Sequence, residues 1–566
     1  MKVTRRDLLM MGAAGTAGLL VTPVPWKLLD DVSIWSQNWP WIPQPTHGPV
    51  EVKQSFCTLC PNGCGMRVRM AAGWPVGVAG MGSHPISRGA LCPLGYGAHQ
   101  LNWHPQRLRT VRHRSNSASW EEARAAFAKA CREGPIAIVD GYPGRAASSV
   151  FETFAQKRNG SYRAVLGPET RALVPYESWS GVPAAGLGYD LENAQTIVSF
   201  GAPLLDGWGA PGRFTRLWAE RAAGLTEPQL RLIQVEALLP GTTPSRTATR
   251  AWQWVPVYAG AEAALAGGLA RVLLDEHLVR ARGPMPPMTI AEAADQTGLS
   301  TGALIELART MVARHPVVVI ANDGDPAIAA LNVVLGAAGA RGGIVRRTKL
   351  AEPHASAAAD IDSARAVLID STVPWDFTPP TNVEVFRFAA WDGGSCTADW
   401  LLPAPGFLEE MTDVPSAPAS AIETYAVAPS LLKAPPEVRS AAQFLGGIDS
   451  ALMPTEKIIH ARCADLFRGR AGTLQGTEAT PVKKFASVQK LEEQLWKGAI
   501  WIDEPPRFAA FRCELKEWPA SVRPAHRVGS SSVNWSRTWC APVLPPLASK
   551  LYQESSLREA PEGRNV

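Results

Sequence analysis

Four cysteines constrain this chain more than any other feature. Ser55-Phe-Cys57-Thr-Leu-Cys60-Pro-Asn-Gly-Cys64 is answered by His84-Pro-Ile-Ser-Arg-Gly-Ala-Leu-Cys92, giving the spacing C-x2-C-x3-C-x27-C. Close thiols place sulfurs on one wall of a small site, and a distant fourth closes the opposite wall. That arrangement suits a [4Fe–4S] cluster held by four thiolates. Zinc also accepts four thiolates, but through two separated C-x2-C knuckles. A triple plus a single favours iron–sulfur over zinc or a pair of disulfides. The candidate cofactor-binding and metal-ligating residues are therefore Cys57, Cys60, Cys64 and Cys92. Glycines and Pro61 beside the thiols let backbone N–H groups turn toward sulfur, which tunes potential. His84 is expected to cap the loop that leads to Cys92. The expectation is a redox protein.

A length of 566 residues, 46% hydrophobic, is ample for several packed domains. A net charge of +5 is mild at this size, and no basic-aromatic interleaving accompanies it, so nucleic acid is not an expected partner. The other cysteines, Cys131, Cys396, Cys463, Cys513 and Cys540, lack pair spacing and read as buried thiols. Cys513 and Cys540 could bridge in an oxidising compartment, and spacing does not decide it.

Thr4-Arg5-Arg6-Asp7-Leu8-Leu9 precedes an apolar, small-residue run from Met10 to Val21. Paired arginines before a modest hydrophobic run read as a twin-arginine export signal, ahead of an ordinary secretory signal or a short buried helix. A chain with an inserted cluster has to fold before it crosses a membrane, which agrees. The run is shorter than the ~20 residues of a spanning helix. No clear A-x-A site follows, so an uncleaved anchor stays open. The body is expected to be periplasmic, with membrane association through partners or this segment. Trp26, Trp35, Trp39 and Trp41 then fall in a proline-broken stretch, read as an extended arm.

Beyond Arg114, strands alternate with helices. Ser119-Trp-Glu-Glu122 is a capping box opening a helix to Cys131. Apolar strands are predicted at 135–141, 196–201, 230–235, 316–321 and 366–370. Strands without polar alternation, separated by helices, indicate parallel sheets covered on both faces. The fold class is α/β with at least two doubly wound layers.

Several segments, taken in order, resemble the molybdopterin oxidoreductase (dimethyl sulfoxide reductase) superfamily. They are the cysteine lobe, Arg88-Gly-Ala-Leu-Cys-Pro-Leu-Gly95, Gln106-Arg-Leu108, Asp190-Leu-Glu-Asn-Ala194, Ala330-Leu-Asn-Val-Val-Leu-Gly336 with Arg341-Gly-Gly343, and Thr397-Ala-Asp-Trp-Leu-Leu-Pro403 with Phe407-Leu-Glu-Glu410. The resemblance implies a small N-terminal iron–sulfur lobe plus two doubly wound parallel-sheet domains, one inserted in the other. The implied organisation is a signal or anchor over 1–30, an arm over 31–49, the [4Fe–4S] lobe over 50–112, one sheet domain over 113–168 and 346–450, the inserted sheet domain over 169–345, and an irregular extension over 451–566. The family's C-terminal barrel domain is expected to be reduced or missing.

Catalytic members carry molybdopterin guanine dinucleotides with molybdenum or tungsten, and this chain departs from their pattern. Leu94 stands where a cation is common. The stretch Leu173–Gly181 offers only Ser178 or Ser180 as an oxygen ligand, and both read better as helix-capping or surface serines. Glu236 could meet a ribose or guanine, but the arginine that follows in relatives is absent, and Tyr258-Ala-Gly-Ala-Glu262 keeps only a small residue and an acid. Molybdopterin is therefore disfavoured, and apolar packing is expected in its place. Asp399 reads as a helix or turn residue. The chain resembles most the metal-free, molybdopterin-like subunits of the menaquinone reductase complex and alternative complex III. The implied partners are a ferredoxin-like iron–sulfur subunit, an integral membrane quinone-binding subunit and a multihaem cytochrome c. No residue is expected to break bonds; the alternative is a catalytic molybdenum or tungsten enzyme acting on an oxyanion or sulfur compound.

Overall fold

The computed structural model describes residues 3–21, 48–223, 229–237, 244–280, 283–347, 363–370, 382–391, 398–503, 508–509 and 511–520. The chain divides into a minor unit, Met1–Val52 with Arg69–Val76, and a major unit, Lys53–Val68 with Gly77–Val566. The minor unit holds the helix Arg5–Val21, which opens where Thr4 donates to the Asp7 carboxylate from both its N–H and its hydroxyl. No helix among the described residues is long and apolar enough to cross a membrane. The arm over 31–49 lies outside the described residues except for Gly48 and Pro49.

The major unit is built on two parallel sheets. The larger runs in the order Asn116–Ala118, Val111–His113, Trp400–Pro403, Glu384–Ala389, Ala366–Asp370, Ile136–Asp140, Ser161–Ala164, and its last five strands are mutually parallel. Successive side chains of a strand point to opposite faces. Ile136, Ile138, Ala366 and Leu368 join the core beneath the helices Trp120–Glu133 and Ala146–Lys157, while Ala137, Val139, Val367 and Ile369 join the core on the other side. Both faces are covered, so these strands read as unbroken apolar runs. The helix Trp120–Glu133 starts at the capping box: Glu122 N–H donates to Ser119 Oγ at 3.1 Å, and Ser119 N–H donates to Glu122 Oε2 at 2.7 Å.

Between Ala164 and Ala366 the chain builds a second sheet, in the order Gln253–Val257, Arg231–Ala237, Thr196–Phe200, Val317–Ala321, all parallel. One sheet is thus inserted in the other. The helix Pro326–Val334 is fastened to it by Asn332, whose carboxamide accepts Val319 N–H and donates to Val319 C=O, 2.8 Å each, as a neighbouring strand would. Other segments that carry the family resemblance also meet in space. Asp190 accepts Gly342 N–H at 2.7 Å, Arg341 donates to Asn193 Oδ1 at 2.8 Å, and buried Arg107 pairs with buried Glu409. Asp399 lies in a bend just before the strand Trp400–Pro403, not in a helix, and accepts Val385 N–H at 3.1 Å and Arg114 Nε–H at 3.2 Å.

The expectation of an irregular extension over 451–566 is corrected for 451–503. Thr455–Gly469 and Val488–Trp496 are helices, and Thr473–Gln475, Ala479–Pro481 and Ile500–Ile502 join Thr412–Val414 and Thr424–Ala428 in one antiparallel sheet. Leu466, Leu474, Leu491 and Trp501 bury against Tyr425 and Val427. Strands of three residues are too short to show alternation, which hid them from a reading of pattern. Residues 521–566 lie outside the described residues.

Candidate metal centre

The first cysteine segment lies between the strands Val50–Phe56 and Gly65–Ala71, and Cys57 N–H closes it by donating to Cys64 C=O at 2.8 Å. Gly63 makes the turn at φ +57°, where a Cβ would stand 2.3 Å from Val414 Cγ1, so the position demands glycine. The segment leading to Cys92 is fastened by His84, which is buried. Its Nδ1 accepts the N–H of Ser87 at 3.0 Å and of Ile86 at 3.3 Å, and it also bonds the Gly63 backbone. An imidazole that accepts at Nδ1 is neutral, and burial holds its pKa down at about 3. His84 therefore ties the two cysteine-bearing segments together, the capping role expected of it.

Cys57 is buried, Cys60, Cys64 and Cys92 are half-buried, and all four are free thiols. Each sulfur has an N–H nearby. Leu59 serves Cys57, Asn62 serves Cys60, Cys64 is served by its own N–H, and Gly95 N–H lies 3.5 Å from Cys92 Sγ. Burial first, and then the charge of neighbouring sulfurs, pushes the Cys57, Cys60 and Cys64 thiols up, with Cys92 acting on all three. Thiols so placed ionise together only when positive charge sits among them. Buried sulfurs with N–H donors already aimed at them fit a cluster held by four thiolates. Among the described residues no three His, Cys, Asp or Glu are gathered as closely as a single metal ion requires. The inserted domain also approaches closely: a Cβ on Gly212 would lie 3.2 Å from Cys64 Sγ and 3.0 Å from Ala90 O. Cys513 is a free thiol, and Cys396 and Cys540 lie outside the described residues.

Ligands of doubly wound sheets sit beyond the carboxyl ends of the strands, where successive connections diverge. In the inserted sheet that point lies between Thr196–Phe200 and Val317–Ala321, and Trp208 fills it. The indole is 1% exposed and its Nε1–H donates to Asn322 O at 3.0 Å; Asn322 N–H in turn donates to Phe200 O. On the other side of the same loop Leu205 N–H donates to Thr247 Oγ1 and Thr247 donates to Asp206, each at 2.9 Å. Glu236 accepts the N–H and hydroxyl of Ser245 at 3.0 and 2.6 Å, so this acid caps a local turn. Ser178 and Ser180 lie within the helix Pro175–Ser180 and donate to its Pro175 and Tyr176 carbonyls, so neither caps its N-terminus.

The expectation of apolar packing throughout is corrected on either side of Pro61. Two clefts of about 1130 Å³ each border it. One reaches the carboxyl ends of Ile136–Asp140 and Ala366–Asp370 and is lined by Thr58, Cys60, Tyr142, Arg145 and Glu410. The other is lined by Gly167, Thr170, Arg347 and Arg462. Their guanidinium groups are engaged within the protein: Arg145 with Asp370 at 2.9 Å, Arg462 with Asp413 and with Gly144 O at 2.8 Å, and Arg347 with Ala185 O.

Glu169 stands against the Trp208 loop, 4% exposed, with its Oε2 lacking a hydrogen-bond partner. Burial raises its pKa from 4.5 to about 7. A carboxyl raised in the folded state contributes full stability below its unfolded pKa and loses it as pH climbs through the folded value. Stability should therefore fall between about pH 4.5 and 7 by up to roughly 3 kcal/mol from this group. Glu169→Gln should flatten that slope in denaturant midpoints measured at pH 5.5 and 8. An unchanged difference between the two pH values would contradict the assignment.

Residues 50–102 match the family described as the molybdopterin oxidoreductase Fe4S4 domain, which supports a [4Fe–4S] cluster. The chain is 32% identical over 370 residues to the menaquinone reductase molybdopterin-binding-like subunit of Nitratidesulfovibrio vulgaris, covering 61% of this chain and 52% of that protein. It is 26% identical over 249 residues to a sulfite dehydrogenase subunit of Allochromatium vinosum, covering 41% of this chain and 24% of that protein. The chain thus spans about half the length of the first of these curated relatives and about a quarter of the second. In fold it is similar to acetylene hydratase from Pelobacter acetylenicus, with a TM-score of 0.57 at 11% identity over 80% of this chain and 74% of that one. Residues 50–102 thus match the molybdopterin oxidoreductase Fe4S4 domain, and the cysteine lobe, the sequence relatives and the inserted-sheet fold agree in their similarity to the molybdopterin oxidoreductase superfamily.

Proposed function

We propose that this chain is an electron-transfer and scaffold subunit of a membrane-associated respiratory oxidoreductase complex, with one [4Fe–4S] cluster on Cys57, Cys60, Cys64 and Cys92 and no molybdenum cofactor. The observation that carries this reading is the pairing of a complete thiol set with an inserted sheet whose ligand crevice holds Trp208. Bound there, a cluster takes up and releases one electron at a time. The protein contributes N–H donors that moderate the charge on sulfur, a neutral His84 that holds the two segments together, and burial that limits water. Arg145 and Arg462 are paired with the carboxylates of Asp370 and Asp413, which offsets their charge toward a dinucleotide's phosphates, while Arg347 is held by the Ala185 carbonyl.

The resemblance to a menaquinone reductase subunit supports the proposed partners: a ferredoxin-like iron–sulfur subunit, an integral membrane quinone-binding subunit and a multihaem cytochrome c. The chain has no C-x-x-C-H, so any haem belongs to a partner. The arginine pair at the start of the helix Arg5–Val21 supports export of the folded chain to the periplasm by the twin-arginine route. The two clefts beside Pro61 favour a second reading, a molybdenum or tungsten bis-pterin enzyme acting on an oxyanion or sulfur compound.

A redox titration of the purified chain followed by electron paramagnetic resonance separates the two. A single reversible one-electron iron–sulfur signal is expected. A molybdenum(V) or tungsten(V) signal that responds to an oxyanion or sulfur substrate would replace the first reading with the second.

A further inference from the structure

One side-chain nitrogen links the candidate cluster to the loop that fills the crevice of the inserted sheet. Asn62 is 4% exposed, and its Nδ2 donates to Gly209 O at 2.9 Å while standing 3.5 Å from Cys60 Sγ. Gly209 directly follows Trp208, at φ +61°. A Cβ there would press to 3.3 Å on Glu169 and Phe214, so its carbonyl is held by its surroundings. The orientation of the carboxamide is set by chemistry. Reversed, its oxygen would face two acceptors, the Gly209 carbonyl and the Cys60 sulfur. As placed, one hydrogen serves the carbonyl and the other is directed toward sulfur, while Oδ1 is buried without a partner. A residue kept only for folding gains nothing from that orphan oxygen.

We propose that Asn62 is a positioning residue that sets the reduction potential of the cluster and makes that potential depend on the seating of Trp208. A donor aimed at a ligand sulfur favours the more negative, reduced state and so raises the potential. The amide can supply that donor only while Gly209 O holds it, and Gly209 O stays in place while the neighbouring indole is bound to Asn322 O. The inference rests on the electron-transfer reading above. It ties the inserted domain to the cluster through Asn62 and the Trp208–Gly209 pair, with Gly209 147 residues away from Asn62.

The test is a redox titration by electron paramagnetic resonance on the full chain, with iron content measured for every variant. Asn62→Ala should lower the one-electron reduction equilibrium constant about tenfold, which corresponds to about 59 mV. Trp208→Phe keeps the crevice filled but removes the indole N–H, and should shift the potential the same way by a smaller amount. In the Asn62→Ala background the Trp208→Phe shift should vanish. Should Asn62→Ala lose its iron, Trp208→Phe still reads the link from the other end, and an unshifted potential in it overturns the proposal. An iron-replete Asn62→Ala with the wild-type potential also overturns it, as does a Trp208→Phe shift that persists undiminished in the double variant. Absence of any iron–sulfur signal in the wild type would instead bring down the electron-transfer reading on which the inference stands.

Discussion

Replacing Cys60 with alanine is expected to strip the chain of its iron, with loss of the visible iron–sulfur absorbance and a marked drop in thermal stability. Three thiolates remain, but Cys60 borders a cleft, takes donors from Asn62, and lies, like each of the four, within electrostatic reach of the other three. Where the ligands are buried thiols whose ionisation needs a cation, metal binding and folding share one free energy, so losing a ligand costs both. Cys131→Ala serves as the control, since that thiol is half-buried beneath the larger sheet, away from the other four. Iron content and melting temperature of the two variants decide the matter. A Cys60→Ala protein that keeps its iron, or a Cys131→Ala protein that loses it, would show that the ligand set is misassigned.

The second large effect belongs to Trp208. Trp208→Ala is expected to cost about 3–5 kcal/mol, the range for emptying a fully buried large aromatic site. The indole is 1% exposed, packs on Phe214 with ring centroids 5.5 Å apart, and donates its N–H to Asn322 O at 3.0 Å. Its removal leaves both a cavity and an unanswered carbonyl at the carboxyl edge of the sheet. Trp208→Phe should retain most of the packing and lose only the hydrogen bond, about 1 kcal/mol. Denaturant midpoints compared across the three proteins measure this. A Trp208→Ala cost under about 1 kcal/mol would mean that the side chain merely rests in a crevice that another group can enter.

The larger features were legible in the sequence for specific reasons. The parallel strands at 136–140, 196–200, 317–321 and 366–370 are buried on both faces, so hydrophobicity alone marks them. Ser119 and Glu122 announce a helix start because the capping box is local chemistry. The cysteine spacing speaks for itself, and His84 could be read as a cap because a buried imidazole before a cysteine segment has few other uses. What stayed hidden depends on distance along the chain. Asn62 and Gly209 are 147 residues apart, and nothing near either announces the other. Trp208 sits in Asp206-Gly-Trp-Gly209, a bulky aromatic between glycines just past a strand, and that contrast was the available signal for a filled crevice. The short strands over 473–502 gain their stability from pairing with one another and, through Ile500–Ile502, with Thr424–Ala428, which no local pattern encodes. The clefts beside Pro61 were unreadable because cavity shape belongs to packing, while sequence reports only composition.

The family's motifs also look different once placed. Asn332, Asp190 and Arg107 act as internal fasteners, between helix and sheet, between loops, and in a buried ion pair with Glu409. Such residues would persist in a chain that no longer bound a pterin, because they hold the sheets together. Their presence identifies the fold, and the question of the cofactor falls to other residues.

Metal and nucleotide content per polypeptide, measured on the purified protein, addresses that question most directly. The expected result is about four iron atoms, no molybdenum or tungsten above background, and no guanine nucleotide after acid extraction. One molybdenum or tungsten per chain with stoichiometric guanine nucleotide would contradict the account, and would mean that a dinucleotide is bound despite Trp208 in the inserted sheet.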